Sequence, residues 1–95
     1  MTTYVIGTLE VTDPQPLEEY GRRVGPIVEQ HGGRFLAVGP VTHHIEGDPA
    51  PTMVALIAFD DADAALRWYH STDYTTIRHL RQNSGHTRVL LIDGT

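Results

Sequence analysis

The sequence has no cysteine and no lysine, a single tryptophan, and no apolar run long enough to cross a bilayer. Without cysteine there is no disulfide, no thiolate nucleophile and no cysteine-held zinc. All basic residues are arginine, seven against twelve acids, for a formal charge of -5. An acidic chain without a basic run lacks the electrostatic means to hold DNA or RNA, whose affinity comes largely from phosphate neutralisation. It also lacks the basic cluster that docks proteins on anionic lipid. Neither nucleic acid nor membrane is therefore an expected partner. The opening MTTYVIGTLEV carries no basic segment and reads as a strand rather than a signal peptide, so the cytoplasm is the expected compartment.

What is present suits one domain, residues 1–95. A chain this short removes roughly 60–65% of its unfolded surface from water, so it gains much from a partner subunit. Tyr4 to Val11 is rich in β-branched and aromatic residues and reads as a strand. Val5, Gly7, Leu9 and Val11 share one face; Tyr4, Ile6, Thr8 and Glu10 share the other, which is half polar. Asp13-Pro14 predicts a helix start, and Leu17, Tyr20, Val24, Ile27, Val28 and His31 fall on one helical stripe. Gly25-Pro26 inside that stripe predicts a kink or interruption, and Gly32-Gly33 ends the helix.

Arg34 to Glu46 reads as one long strand broken by Gly39-Pro40, followed by a turn at GDPAP. Met53 to Phe59 is apolar on both faces, the mark of a central strand covered on both sides. Asp60, Asp61 and Asp63 crowd the next helix start, with a second helical piece from about Asp73 and a last strand from His86 to Asp93. The order is β-α-β-β-α-β, the ferredoxin-like α+β pattern, with a four-stranded antiparallel sheet expected. Helices cover only one face of such a sheet. The other is most economically covered by the same face of a second copy, so a homodimer is expected.

The segments VTDPQPLEEYGRRVGPIVEQHGGRFLAVG, HIEGD and RWYHSTDYTTIRHLRQ closely resemble a small bacterial family, domain of unknown function 1330 (DUF1330), across nearly the whole chain. The resemblance implies a domain that pairs sheet to sheet as a dimeric α+β barrel. That architecture also hosts cofactor-free monooxygenases, cyclases, muconolactone-type isomerases, haem-handling proteins and ligand-sensing modules, so it does not fix a function. Where the family tends to read Asn-Ser-Pro-Glu-Tyr, this chain reads His70-Ser71-Thr72-Asp73-Tyr74, which leaves Trp68, Ser71 and Tyr74 in register.

Residues 67–82, RWYHSTDYTTIRHLRQ, are the densest chemistry in the chain, and most of it has a structural reading. Ser71 sits between two helical pieces without a Gly-x-Ser-x-Gly elbow, so capping is its first role. Trp68 and Tyr69 are expected to pack, and Tyr74 to divide between core and pocket. His70 and His79 would lie on opposite sides of a helix, and His43-His44 on opposite faces of a strand, so no metal site is expected. The arginines pair with surface carboxylates by default. The fork of Arg34, Arg78, Arg81 and Arg88 nevertheless suits a ligand carboxylate, so one or two of the four are expected at a pocket mouth, with Arg34 counted among the ligand contacts.

The site expected from the strands is a pocket at the paired sheets. Tyr4 and Thr8 would contact a ligand there, Arg34, Trp68, Ser71 and Tyr74 would complete the walls, and His43 or His44 would act as base with Glu10 beside it. No nucleotide-binding loop is present and no cofactor is expected. Two functions fit: a cofactor-independent proton-transfer enzyme, of isomerase or cyclase type, acting on a small aromatic or carboxylated metabolite, and a non-catalytic ligand-binding or assembly module. Haem or metal handling ranks below both.

Overall fold

Asp13 sets the first boundary. Its Oδ1 accepts a hydrogen bond from the Gln15 amide at 3.2 Å, and Pro14 takes the first helical position, where no N–H is needed. In the computed structural model, which describes residues 1–94, the order is β1 (Thr3–Val11), α1 (Pro14–Gln30), β2 (Arg34–Pro40), β3 (Met53–Phe59), α2 (Ala62–His70), α3 (Thr72–Gln82) and β4 (Gly85–Asp93). This is the ferredoxin-like α+β fold with its second helix split at Ser71.

The sheet is antiparallel, in the order β2-β3-β1-β4. All three helices cover one face. Val5, Ile57 and Phe59 from that face pack with Val24, Val28, Ala65, Trp68, Tyr74 and Ile77 to form the core. α1 packs chiefly on α3 and reaches the sheet at β2, while α3 reaches it at β4. Gly33, after α1, must be glycine: an added Cβ would lie 2.6 Å from the Phe59 ring and 2.8 Å from Val28.

The opposite face is open in the single chain. Register sets Leu56, Ile6 and Leu90 in one row across it, and Ala58, Tyr4 and Ile92 in the next. Leu90 and Ile92 are 48% and 49% exposed. This is the uncovered apolar face that the strand patterning required.

Two local expectations differ from what is found. α1 runs unbroken through Gly25-Pro26. Pro26 denies a hydrogen bond to the Arg22 carbonyl one turn back, but both residues lie on the exposed side, where water can reach that group. The second strand stops at Pro40 rather than continuing to Glu46. Pro40 has no N–H for the ladder, and Val41 N already donates to Thr52 O at 2.8 Å, closing residues 41–52 at their base as a loop.

Candidate functional site

α1 stands off the sheet, and the space beneath it is a cavity of about 420 Å³. Leu17, Tyr20, Gly21, Val24 and Gly25 of α1 form its roof. Val5, Gly7 and Leu9 of β1, with Met53, Ala55 and Ile57 of β3, form its floor. Phe35 and Val38 of β2 line one side; Trp68, Tyr74, Arg81 and Val89 line the other. Among these residues only Tyr20, Tyr74, Arg81 and Trp68 carry polar side-chain atoms. Such a container suits a mostly apolar ligand with a polar group at one end.

That end is a continuous hydrogen-bonded set. The Tyr20 and Tyr74 hydroxyls are 2.8 Å apart. Arg81 Nε–H donates to Tyr74 Oη at 3.2 Å, and its Nη1–H to Thr87 Oγ1 at 2.8 Å. Arg81 is only 6% exposed, yet no carboxylate among the described residues lies within ion-pair reach of it. Its Nη2 makes no hydrogen bond to the described residues. Burying a cation is unfavourable unless an anion or several acceptors offset the lost hydration, and here neutral oxygens alone do so.

Burial, and then the Tyr74 oxygen beside it, push the Tyr20 hydroxyl well above the usual tyrosine pKa, so it remains a neutral phenol. Burial works against the Arg81 cation, but the oxygens of Tyr74 and Tyr20 and the nearby Tyr69 more than offset this, and its pKa is raised. Because Tyr74 Oη accepts from Arg81, its own proton is free for Tyr20 or a ligand. Aromatic rings complete the wall. Trp68 lies 4.3 Å from Tyr74 and 5.5 Å from Phe59 between centroids. The Trp68 Nε1–H is buried without a hydrogen-bond partner among the described residues.

The profile of the family described as domain of unknown function (DUF1330) matches residues 2–95. The chain belongs to the DUF1330 family. Comparison with curated proteins returns no match. Among solved structures, a protein of unknown function from Rhodopseudomonas palustris superposes with TM-score 0.78 at 17% identity, covering 99% of this chain and 82% of that one. SnoaB, a cofactor-independent oxygenase from Streptomyces nogalater, gives 0.72 at 15% identity, covering 99% and 93%. A dimeric ferredoxin-like protein of unknown function from Jannaschia sp. CCS1 gives 0.73 at 12%, covering 99% and 100%. At these identities the likeness is one of fold.

In this DUF1330 chain the candidates read from sequence divide into separate groups. Trp68 and Tyr74 meet in the cavity. Ser71 stands behind them as a cap: its Oγ accepts from Tyr74 N at 3.2 Å and donates to Trp68 O at 2.8 Å. Tyr4, Thr8 and Glu10 lie on the other face of β1, away from the cavity. Thr8 and Glu10 instead border a recess of about 140 Å³ with Pro49, Pro51, His86, Thr87 and Arg88. His43 and His44 are exposed on the 41–52 loop, not on a strand; His43 Nδ1 is 3.1 Å from Thr42 Oγ1, and His44 Nε2 meets the Gly47 carbonyl. Arg34 is exposed at the start of β2. Among the described residues no three His, Asp or Glu side chains converge on a metal-sized point, and no helix is long and apolar enough to cross a membrane.

Tyr20 was not among the site residues expected from sequence, and Arg81 was weighed only as one of four arginines that could hold a carboxylate. Both were visible as polar members of apolar stripes. Tyr74, Ile77 and Arg81 are spaced i, i+3, i+7 on one buried face of α3, and all three are buried. A guanidinium on such a stripe is the signal.

Proposed function

We propose that this chain is a cofactor-independent enzyme acting on a small aromatic or carboxylated metabolite, which it binds between α1 and the sheet with an acidic oxygen on Arg81 and Tyr74. The observation that carries this reading is the buried guanidinium without a carboxylate partner among the described residues, at the polar end of an apolar cavity. A carboxylate or enolate oxygen would supply the anion Arg81 lacks. The dry walls would strengthen that attraction.

Donors fixed where negative charge develops favour ionisation at the carbon beside a carbonyl, the step common to isomerisation and many cyclisations. A water admitted with the substrate takes the proton from that carbon, the electron pair moves to the oxygen held by Arg81 and hydrogen-bonded by the Tyr74 hydroxyl, and the hydronium returns its proton to the carbon skeleton. SnoaB shares the fold and is described as working without a cofactor. Two copies would pair through their open sheet faces, and two neighbours of this fold are described as dimeric.

One observation favours the non-catalytic alternative: no lining residue of the cavity is a carboxylate or an imidazole, the usual bases. Phenylpyruvate separates the two, since it carries an aromatic ring, a carboxylate and an enolisable CH2. An enzyme accelerates deuterium uptake at that carbon in heavy water, read by NMR, and R81M loses the acceleration. Saturable thermal stabilisation without exchange supports the binding module. Neither stabilisation nor exchange, with this and other aromatic acids, would sink the cavity as a functional site.

A further inference from the structure

Register sets Val38, Ala55, Gly7 and Val89 side by side across the helix-covered face of the sheet. The rows on either side are bulkier: Met53 and Leu9 in one, Phe35, Ile57 and Val5 in the other. The middle row is therefore a trough, with nothing larger than a methyl at its two central positions. Above it α1 contributes Gly21 and Gly25 to the same cavity.

Gly7 and Gly21 are not demanded by the fold, whereas Gly25 precedes Pro26, whose Cδ crowds a Cβ on the helical residue before it. Gly7, Gly21 and Gly25 all lie outside the positive-φ region. A Cβ at Gly21 or Gly25 would meet nothing within 4 Å, and one at Gly7 would meet only Ala55 Cβ at an ordinary 3.9 Å. Glycine inside a helix or strand is the less stable choice when alanine fits. Gly7 and Gly21 in such places, on facing walls of one cavity, point to space kept for something other than the protein.

The cavity also has a direction. Gly21 and Val38 are exposed at its rim, whereas Trp68, Tyr74 and Arg81 are buried at its inner end. Arg81 is more than nine-tenths buried and has no acidic partner among the described residues. Resting on the reading above, we propose that the glycines make this cavity a slot for flat fused-ring acids. The ring system enters edge-on past Gly21 and Val38, lies over Ala55 and Gly7 beneath Gly25, and brings its carboxylate or enol oxygen to Arg81. Gly7, Gly21 and Gly25 are the specificity-determining residues, because they set the height of the slot.

Benzoate, 2-naphthoate and anthracene-2-carboxylate, titrated against the fluorescence of the lone Trp68, test this. Wild-type affinity should rise at least fivefold with each added ring. G21A should melt no lower than wild type, as alanine favours a helix, while G25A, which sets a Cβ against Pro26, should melt lower; both should lose at least tenfold on the anthracene acid and less than twofold on benzoate. G7A should do the same from the opposite wall. A ring dependence unchanged in all three variants overturns the slot while leaving the binding site intact. Equal losses on all three acids would also overturn it, since the glycines would then not discriminate by ring. If the wild-type protein binds none of the acids, or R81M binds benzoate as well as wild type does, the parent reading fails and the slot with it.

Discussion

A guanidinium that is 6% exposed and, among the described residues, hydrogen-bonds only to phenolic and threonine hydroxyls is held at a cost to the folded state. Arg81→Met keeps the length of the side chain and removes the charge. Tyr74 retains Tyr20 as a partner, and half-buried Thr87 can turn to water, so stability should stay within about 1 kcal/mol of wild type or rise. Binding of aromatic acids should fall roughly 10- to 100-fold, the worth of a charge-assisted hydrogen bond. Thermal melts and fluorescence titrations of the same samples check both halves. A large loss of stability would mean that Arg81 is structural.

Tyr20 gives a pH dependence whose sign is fixed. Its pKa is raised in the folded chain above the value of about 10 in an unfolded one, so below that pH it is protonated in both states. Above that pH the unfolded chain releases the proton and the native one keeps it, so stability falls as pH rises. Y20F removes this contribution. Its melting temperature should therefore decline less steeply than that of wild type between about pH 9 and 11. The histidines that looked like bases in the sequence call for the opposite expectation. His43 and His44 are exposed on a loop, and replacing both with alanine should move stability by less than ~0.5 kcal/mol. Acid binding should not change. Their orientation was illegible because it depended on a strand continuing past Pro40, and only the missing N–H there signalled otherwise.

At the scale of elements, most boundaries could be read because each carries its own local chemistry. Asp13 and Asp61 cap α1 and α2 by accepting from Gln15 N and Ala64 N, and Gly32 takes a φ of 82° at the end of α1. Ser71 does two such jobs at once, closing α2 and opening α3. S71A should cost about 1 kcal/mol, with S71T restoring much of it. For a domain of this size that is a fall of roughly 4–8 °C in melting temperature. Gly85 is more demanding, because at φ 154° an added Cβ would stand 1.9 Å from the Glu10 carbonyl oxygen. What periodicity could not reveal is how far α1 stands from the sheet. An apolar stripe says which side of a helix faces inward, not what fills the gap, and Gly25 read as a helix breaker instead of a cavity wall.

At the scale of the molecule, helices on one side leave Leu56, Ile6 and Leu90, and beside them Tyr4 and Ile92, without a covering layer on the other. Their apolar character was legible because β3 alternates with no polar side, whereas the location of the cavity was not. The half-polar face of β1 suggested a chamber between two sheets, but the large cavity lies on the helix-covered face, built from one chain's residues. The two arrangements make opposite predictions for a subunit kept apart. Leu90 is 48% exposed on the open face of the edge strand β4, and L90E would place a charge where two apolar sheets meet. In sedimentation, wild type should run as a dimer and L90E as a folded single chain with a lower melting temperature. If the binding cavity belongs to each chain, the L90E monomer still takes up 2-naphthoate with near wild-type affinity, and R81M still abolishes that uptake. A folded monomer that binds nothing would move the site to the junction of the sheets, bringing Tyr4, Thr8 and Glu10 back as its walls.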